Sequence, residues 1–204
     1  MNNIIIRESC QEDLHSIVEI HLLAFKKFFL SKLGYKFIYQ YYKTYIDNHE
    51  VILVAVNDKN KVVGFICGLE NSHDFYNKMK SEWYRFISVK FVLNSFKLYK
   101  IVFGKIKSLL FINKVNPINY PSFSNELTSI SVIPECSGCG VGKQLLTEYI
   151  HKIRSNKKSK NIVLTTDFYH NDNVINFYEK NGFNIYTDFS QSENRKMLVL
   201  IKKI

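Results

Sequence analysis

The chain has 204 residues, 46% hydrophobic and 15% aromatic, with a formal net charge of +10. A chain of this length buries roughly 70% of its unfolded surface without needing disulfides or metal, and the composition excludes disordered and low-complexity classes. The positive excess suits an anionic partner, whether nucleic acid, lipid headgroup or phosphorylated small molecule, and it also serves plain solubility.

In chain order, "IIIRE" (4–8) reads as an opening strand. Residues 10–25 read as a helix with apolar positions at 14, 17, 18, 22 and 25. A second helix is expected over 35–46, separated from the first by Gly34. "VILVAV" (51–56) and "KVVGFICGLE" (61–70) read as strands joined by an "NDKN" hairpin turn. Residues 74–114 lack strand patterning and read as a helical insertion. The pattern then predicts a strand at 126–133, a helix at 141–154, a strand at 161–168 and a helix at 173–181 that stops at Gly182. Strands at 183–189 and 196–203 follow. The opening segment lacks the form of a signal peptide, and no run of 18 uncharged apolar residues is present, so no spanning helix is predicted and a cytoplasmic location is expected.

"PECSGCGVGKQLL" (134–146) places glycines at 138, 140 and 142, three of the eight in the chain, between a strand and a helix start. Glycine permits positive φ and close backbone approach, and such a turn aims free N–H groups at phosphate oxygens. A Walker loop fails, because Ser137 stands at its first glycine and Gln144 at its magnesium-binding hydroxyl. A dinucleotide fingerprint fails at Lys143, where its third glycine belongs. A plain tight turn needs only one glycine. Cys136 and Cys139 have redox spacing, but no second pair exists for zinc, Cys10 and Cys67 being remote, so no metal site is predicted.

"ISVIPECSGCGVGKQLL" resembles the signature of the GNAT acetyltransferases, V-x-P-x-x-[RQ]-G-x-G-[IV]-G-x-x-L. Val132, Pro134, Gly138, Gly140, Val141, Gly142 and Leu145 fall on that pattern, and Ser137 departs from it. "NDNVINFYEKNGF" (171–183) is similar to the family's N-x-x-A-x-x-x-Y-x-x-x-G-F segment, with Val174 in place of alanine. The resemblance implies a GNAT fold over 1–204, a central mixed β-sheet flanked by helices (class α/β), carrying the helical insertion at about 74–114. It implies acetyl-CoA as co-substrate, its pyrophosphate held by the backbone of Ser137, Gly138, Cys139, Gly140, Val141, Gly142 and Lys143. Pro134 and the N–H of Val132 or Ile133 stand near the thioester, and Lys143 supplies a cation in place of the missing arginine. The parallel strands 126–133 and 161–167 are expected to splay and admit the pantetheine arm.

The resemblance also implies roles for three side chains. Glu126 is the expected base, its alternative being an exposed strand-end charge. Tyr178 is the expected acid, since a phenol of pKa near 10 stays protonated at neutral pH and can protonate a leaving thiolate; its alternative is a core tyrosine. Asn171 is expected to bond the cofactor arm, or else to cap a helix. The expected acceptor is a primary amine of a small molecule, with no nucleic-acid partner. Residues 24–45 resemble GNAT proteins of surface-polysaccharide synthesis, which implies a nucleotide-linked amino-sugar; a protein or peptide acceptor, or a non-catalytic CoA-binding module, are the alternatives. The insertion over 78–114 reads as a lid, a basic amphipathic face for an anionic membrane or a dimer interface, so monomer and homodimer both stay open.

Overall fold

In the computed structural model, residues 4–26, 28–72, 74–79, 120–192 and 195–204 are described. The chain divides into two compact units, 1–70 with 122–204 and 71–121. In the second unit, residues 74–79 are helical. The Asp74 N–H donates to the Asn71 side-chain oxygen at 3.2 Å, and the Asn71 amide donates to the Asp74 carboxylate at 2.7 Å. The insertion expected over 74–114, and its lid, membrane and dimer readings, fall outside the described residues from 80 onward.

The first unit is built on a seven-stranded sheet in the order β1-β2-β3-β4-β5-β7-β6. Its strands are β1 (Ile5–Glu8), β2 (Val51–Val56), β3 (Val62–Leu69), β4 (Ser124–Val132), β5 (Asn161–Asp167), β6 (Asn184–Ser192) and β7 (Arg195–Lys203). Every neighbouring pair is antiparallel except β4 with β5. The helices are α1 (Leu14–Ala24), α2 (Phe29–Lys32), α3 (Tyr35–Asp47), α4 (Val141–Ser155) and α5 (Asp172–Lys180). The mixed α/β fold expected from the sequence is observed, with the short α2 as an addition.

Each helix is placed by its apolar stripe. On one face of the sheet, Val141, Leu145, Leu146, Tyr149 and Ile153 of α4 join Ile66, Leu127, Ile162 and Leu164 in a buried cluster that also takes in Tyr178 of α5. On the other face α3 buries Ile38, Tyr41, Tyr42 and Tyr45 against the sheet, the Tyr42 ring standing 5.3 Å from Phe65. Burying aromatics of this size stabilises by about 1.5–3 kcal/mol each. Gly68 makes the α4 face possible: a Cβ there would fall on the Tyr149 hydroxyl and lie 2.6 Å from the Glu126 carbonyl oxygen. Before α1, the Arg7 guanidinium forks onto Asp13 at 2.6 and 2.9 Å. Burial alone would raise Asp13, but that guanidinium and the Cys10 N–H hold its carboxyl below the usual range.

The strand expected at 126–133 does not alternate throughout. Cys67 pairs with Ser129 while the next residue, Gly68, pairs with Leu127, so Thr128 is an extra, bulged residue on β4. Leu127 joins the α4 cluster before the bulge, and Ile130 and Val132 pack against it afterwards. The bulge thus exchanges odd for even positions on that face. Among the described residues, no helix is long and apolar enough to cross a membrane.

Candidate active site

β4 and β5 pair over only three positions, Ser124↔Asn161, Asn125↔Ile162 and Glu126↔Val163. Both strands continue, β4 to Val132 and β5 to Asp167. Beyond Glu126, β4 stays bonded to β3, and β5 stays bonded to β7 as far as Asp167. Each strand is held on its outer side while the inner sides part. The expected splay is present, and at about 3.3 Å per residue the β4 edge that it bares runs about 20 Å.

Backbone alternation decides which amides face the opening. The Ile133 N–H donates to the Val63 carbonyl at 2.8 Å, so it is committed to β3. Val132, opposite Gly64, lies between such bonds and turns its N–H the other way, toward the unpaired side. Of the two amides anticipated near the thioester, Val132 is the one that faces the opening.

After β4 the chain makes a 3₁₀ turn over Pro134–Cys136, in which the Ser137 N–H donates to the Pro134 carbonyl at 3.0 Å. Gly138 and Gly140 then adopt φ of +76° and +83°. A Cβ built at either position meets nothing within 4 Å, so these glycines serve the backbone turn and leave open space above it. The Gln144 N–H bonds the Gly140 carbonyl at 3.0 Å, so the amides of Val141, Gly142 and Lys143 precede the helix ladder. Those N–H groups and the α4 dipole suit an anion. This open, donor-rich turn beside a parted strand pair fits a pyrophosphate followed by a narrow arm.

Side chains of the loop contribute less than its backbone. Ser137 and Cys139 are exposed, and the Val141 side chain is buried in the core. Lys143 lines an open depression together with Ile4 and Ile6 of the β1 side. Cys136 and Cys139 are free thiols. Among the described residues, no three His, Cys, Asp or Glu side chains converge as metal ligands.

Glu126 occupies the last rung before the strands part. Asn125 accepts a hydrogen bond from Tyr149 of α4, and Leu127 lies in the α4 cluster, so Glu126 between them faces α1 and α3. Tyr178 is 6% exposed, on the α4 face, with its ring edge-on to Phe177 and Phe183 at 5.2 and 5.4 Å. Burial pushes its phenol well above the usual value. The base and acid candidates therefore lie on opposite faces of the sheet. Asn171 precedes α5 at its N-cap position but makes no capping bond. Its amide donates instead to Thr166 Oγ1 at 2.6 Å and to the Asp167 carbonyl at 3.0 Å, tying α5 to the far lip of the opening.

Two groups near this opening escape a reading of the sequence. On that far lip, the Arg195 guanidinium donates to Asp167 at 2.7 Å and lies 5.6 Å from the Phe28 ring centroid. On the α3 side, Tyr41, Tyr45 and Thr128 form a hydroxyl chain. Neither has a local signature, because each joins segments far apart in sequence.

A family model described as Acetyltransferase (GNAT) family matches residues 108–183. No curated protein sequence matches the chain. Among solved structures, the chain is similar to a ribosomal-protein-alanine N-acetyltransferase from Brucella melitensis, with a TM-score of 0.64, 17% identity, and 98% of this chain and 99% of that one covered. It is similar to an N-acetyltransferase from Staphylococcus aureus Mu50 (TM-score 0.63, 17% identity, 98% of each chain). It is also similar to yncA from Salmonella typhimurium, solved with its cofactor acetyl-CoA (TM-score 0.61, 15% identity, 98% of this chain and 93% of that one). The matched segment spans the glycine loop, α4, β5 and α5, and the structural likeness runs over nearly the whole chain. The fold is the GNAT fold, and the segment that carries the glycine loop is similar to the acetyltransferase (GNAT) family.

Proposed function

We propose that the chain moves the acetyl group of acetyl-CoA to a primary amine of a small anionic molecule, the class that includes nucleotide-linked amino-sugars. The observation that carries the donor half is the parting of β4 from β5 after Glu126, beside a loop whose amides precede the α4 ladder. The net charge of +10 supports the acceptor half. In this reading 74–114 is an insertion into one transferase domain spanning 1–204.

Acetyl-CoA supplies a thioester open to attack by an amine. The loop from Ser137 to Lys143 binds the pyrophosphate through backbone N–H groups, as a helix start does. The Val132 N–H, turned toward the opening, donates to the carbonyl oxygen as charge gathers there. An alkylamine of pKa about 10.4 is neutral in only about one part in 2,500 at pH 7, a deficit of about 4.6 kcal/mol. Glu126, facing α1 and α3, takes the amine proton directly or through water. Tyr178, whose burial keeps it protonated, gives its proton to the departing sulfur.

Calorimetric titration with acetyl-CoA, and thiol release against amino-sugars, nucleotide-linked amino-sugars and peptides, test the proposal. Gly140→Asp strains a φ of +83° and sets a carboxylate against the pyrophosphate, so it is expected to abolish binding. No affinity in the wild type, or unchanged affinity in Gly140→Asp, refutes the donor half. Acetylation of peptides alone refutes the acceptor class and leaves the transferase standing.

A further inference from the structure

The bulge at Thr128 is the one irregularity in the β3–β4 ladder, two residues into the free edge of β4, and α3 holds it from the side. The Tyr45 hydroxyl donates to Thr128 Oγ1 at 2.9 Å, and Thr128 in turn donates to the Cys67 carbonyl at 3.1 Å. Cys67 Sγ lies 3.4 Å from the same threonine oxygen. Tyr41, one helical turn before Tyr45, shares a 2.8 Å hydrogen bond with it. Tyr41, Tyr45 and Cys67 are all buried. Burial pushes the Cys67 thiol up to about 12, so it stays a neutral thiol beside the chain.

We propose that Tyr45, braced by Tyr41, is a positioning residue that clamps the bulge at Thr128 and so sets the direction of the Val132 N–H. The proposal rests on the acetyltransferase reading above. A bulged residue lacks regular ladder bonds and is a soft point in a strand. Here the Thr128 hydroxyl supplies one bond to β3 and receives one from α3, fixing the extra residue in place. A slip of one residue would reverse every face and every amide beyond it. Without the clamp, only the β3 ladder bonds beyond the bulge, that of Ile133 to Val63 among them, hold the direction of Val132.

A proton-relay role fits the same hydroxyls less well. The chain runs from Tyr45 through Thr128 to a backbone carbonyl, which cannot pass a proton onward. Buried hydroxyls cost desolvation that an apolar side chain would avoid. Their full satisfaction here yields a unique geometry, which is what an oxyanion donor requires.

The test uses the full chain, acetyl-CoA labelled with ¹³C at the acetyl carbonyl, and unlabelled CoA. In the wild type the infrared carbonyl band moves to lower frequency on binding. Tyr45→Phe and Thr128→Val are expected to lose the greater part of that shift, with turnover down by about tenfold or more and CoA affinity nearly unchanged. Thr128→Ser keeps the hydroxyl and is expected to keep both shift and turnover. If Tyr45→Phe does not fold, the Thr128→Val and Thr128→Ser pair decides alone. A wild-type band and turnover in Tyr45→Phe, or equal behaviour of the two Thr128 variants, overturns the inference and leaves the acetyltransferase reading intact. A wild type that binds neither CoA nor acetyl-CoA overturns both.

Discussion

Acidification should weaken the fold through one histidine of α1. His21 of α1 is 5% exposed, with Nδ1 2.7 Å from the Tyr42 hydroxyl of α3 and the Phe25 ring 4.8 Å away. Its Nε2 is buried without a partner. Burial lowers its pKa from 6.5 to about 4. The unfolded chain therefore takes up a proton below pH 6.5 that the folded chain refuses until about pH 4. The sign follows: this contribution is fully present above pH 6.5 and is lost as pH falls through that window. At about 1.4 kcal/mol per pH unit, the loss over the window comes to about 3 kcal/mol, a large part of a typical stability of 5–15 kcal/mol. Urea denaturation of wild type and His21→Leu between pH 7 and pH 4 reads it directly. The variant removes the titrating group, so its stability should change less over that range, whatever its absolute value. A wild-type slope that survived unchanged in His21→Leu would show that other groups cause the loss.

Two further outcomes follow from the site and its support. Tyr178→Phe keeps the ring that packs on Phe177 and Phe183, so thermal stability should hold while turnover falls by about 10²–10⁴-fold; near-full turnover with chemistry rate-limiting would make Tyr178 a packing residue only. Gly68→Ala should lower the melting temperature sharply, because its Cβ collides with the Tyr149 hydroxyl and the Glu126 carbonyl. Adding Tyr149→Phe should recover only part of that loss, since the backbone oxygen stays 2.6 Å from the new carbon. Full recovery would place the whole conflict at the hydroxyl.

Most elements were legible because each carries its own period or stop. Glycines 138 and 140 announced a positive-φ turn, and both have it. The helix expected at 173–181, with its stop at Gly182, is present as α5. These features depend on a few neighbouring residues, and local sterics determine them. Residues 126–133 were read as a plain strand, whereas the bulge at Thr128 appears only when β3 lies alongside. The choice between the Val132 and Ile133 amides likewise depended on which one Val63 accepts. That Lys143 lines a depression together with Ile4 and Ile6 also follows from where α4 packs. Tyr41 and Tyr45 lie within the helix expected over 35–46 and His21 within that expected over 10–25, each without a signature of its own. Their roles come from partners across the chain, Tyr45 from Thr128, 83 positions away. Among the described residues, sequence alone determined most of the turns, helices and strands, because these answer to near neighbours. Tertiary structure decided which amide faces the opening and which polar groups are buried, because hydrogen bonds and desolvation at those places are set by segments that meet only in the folded chain.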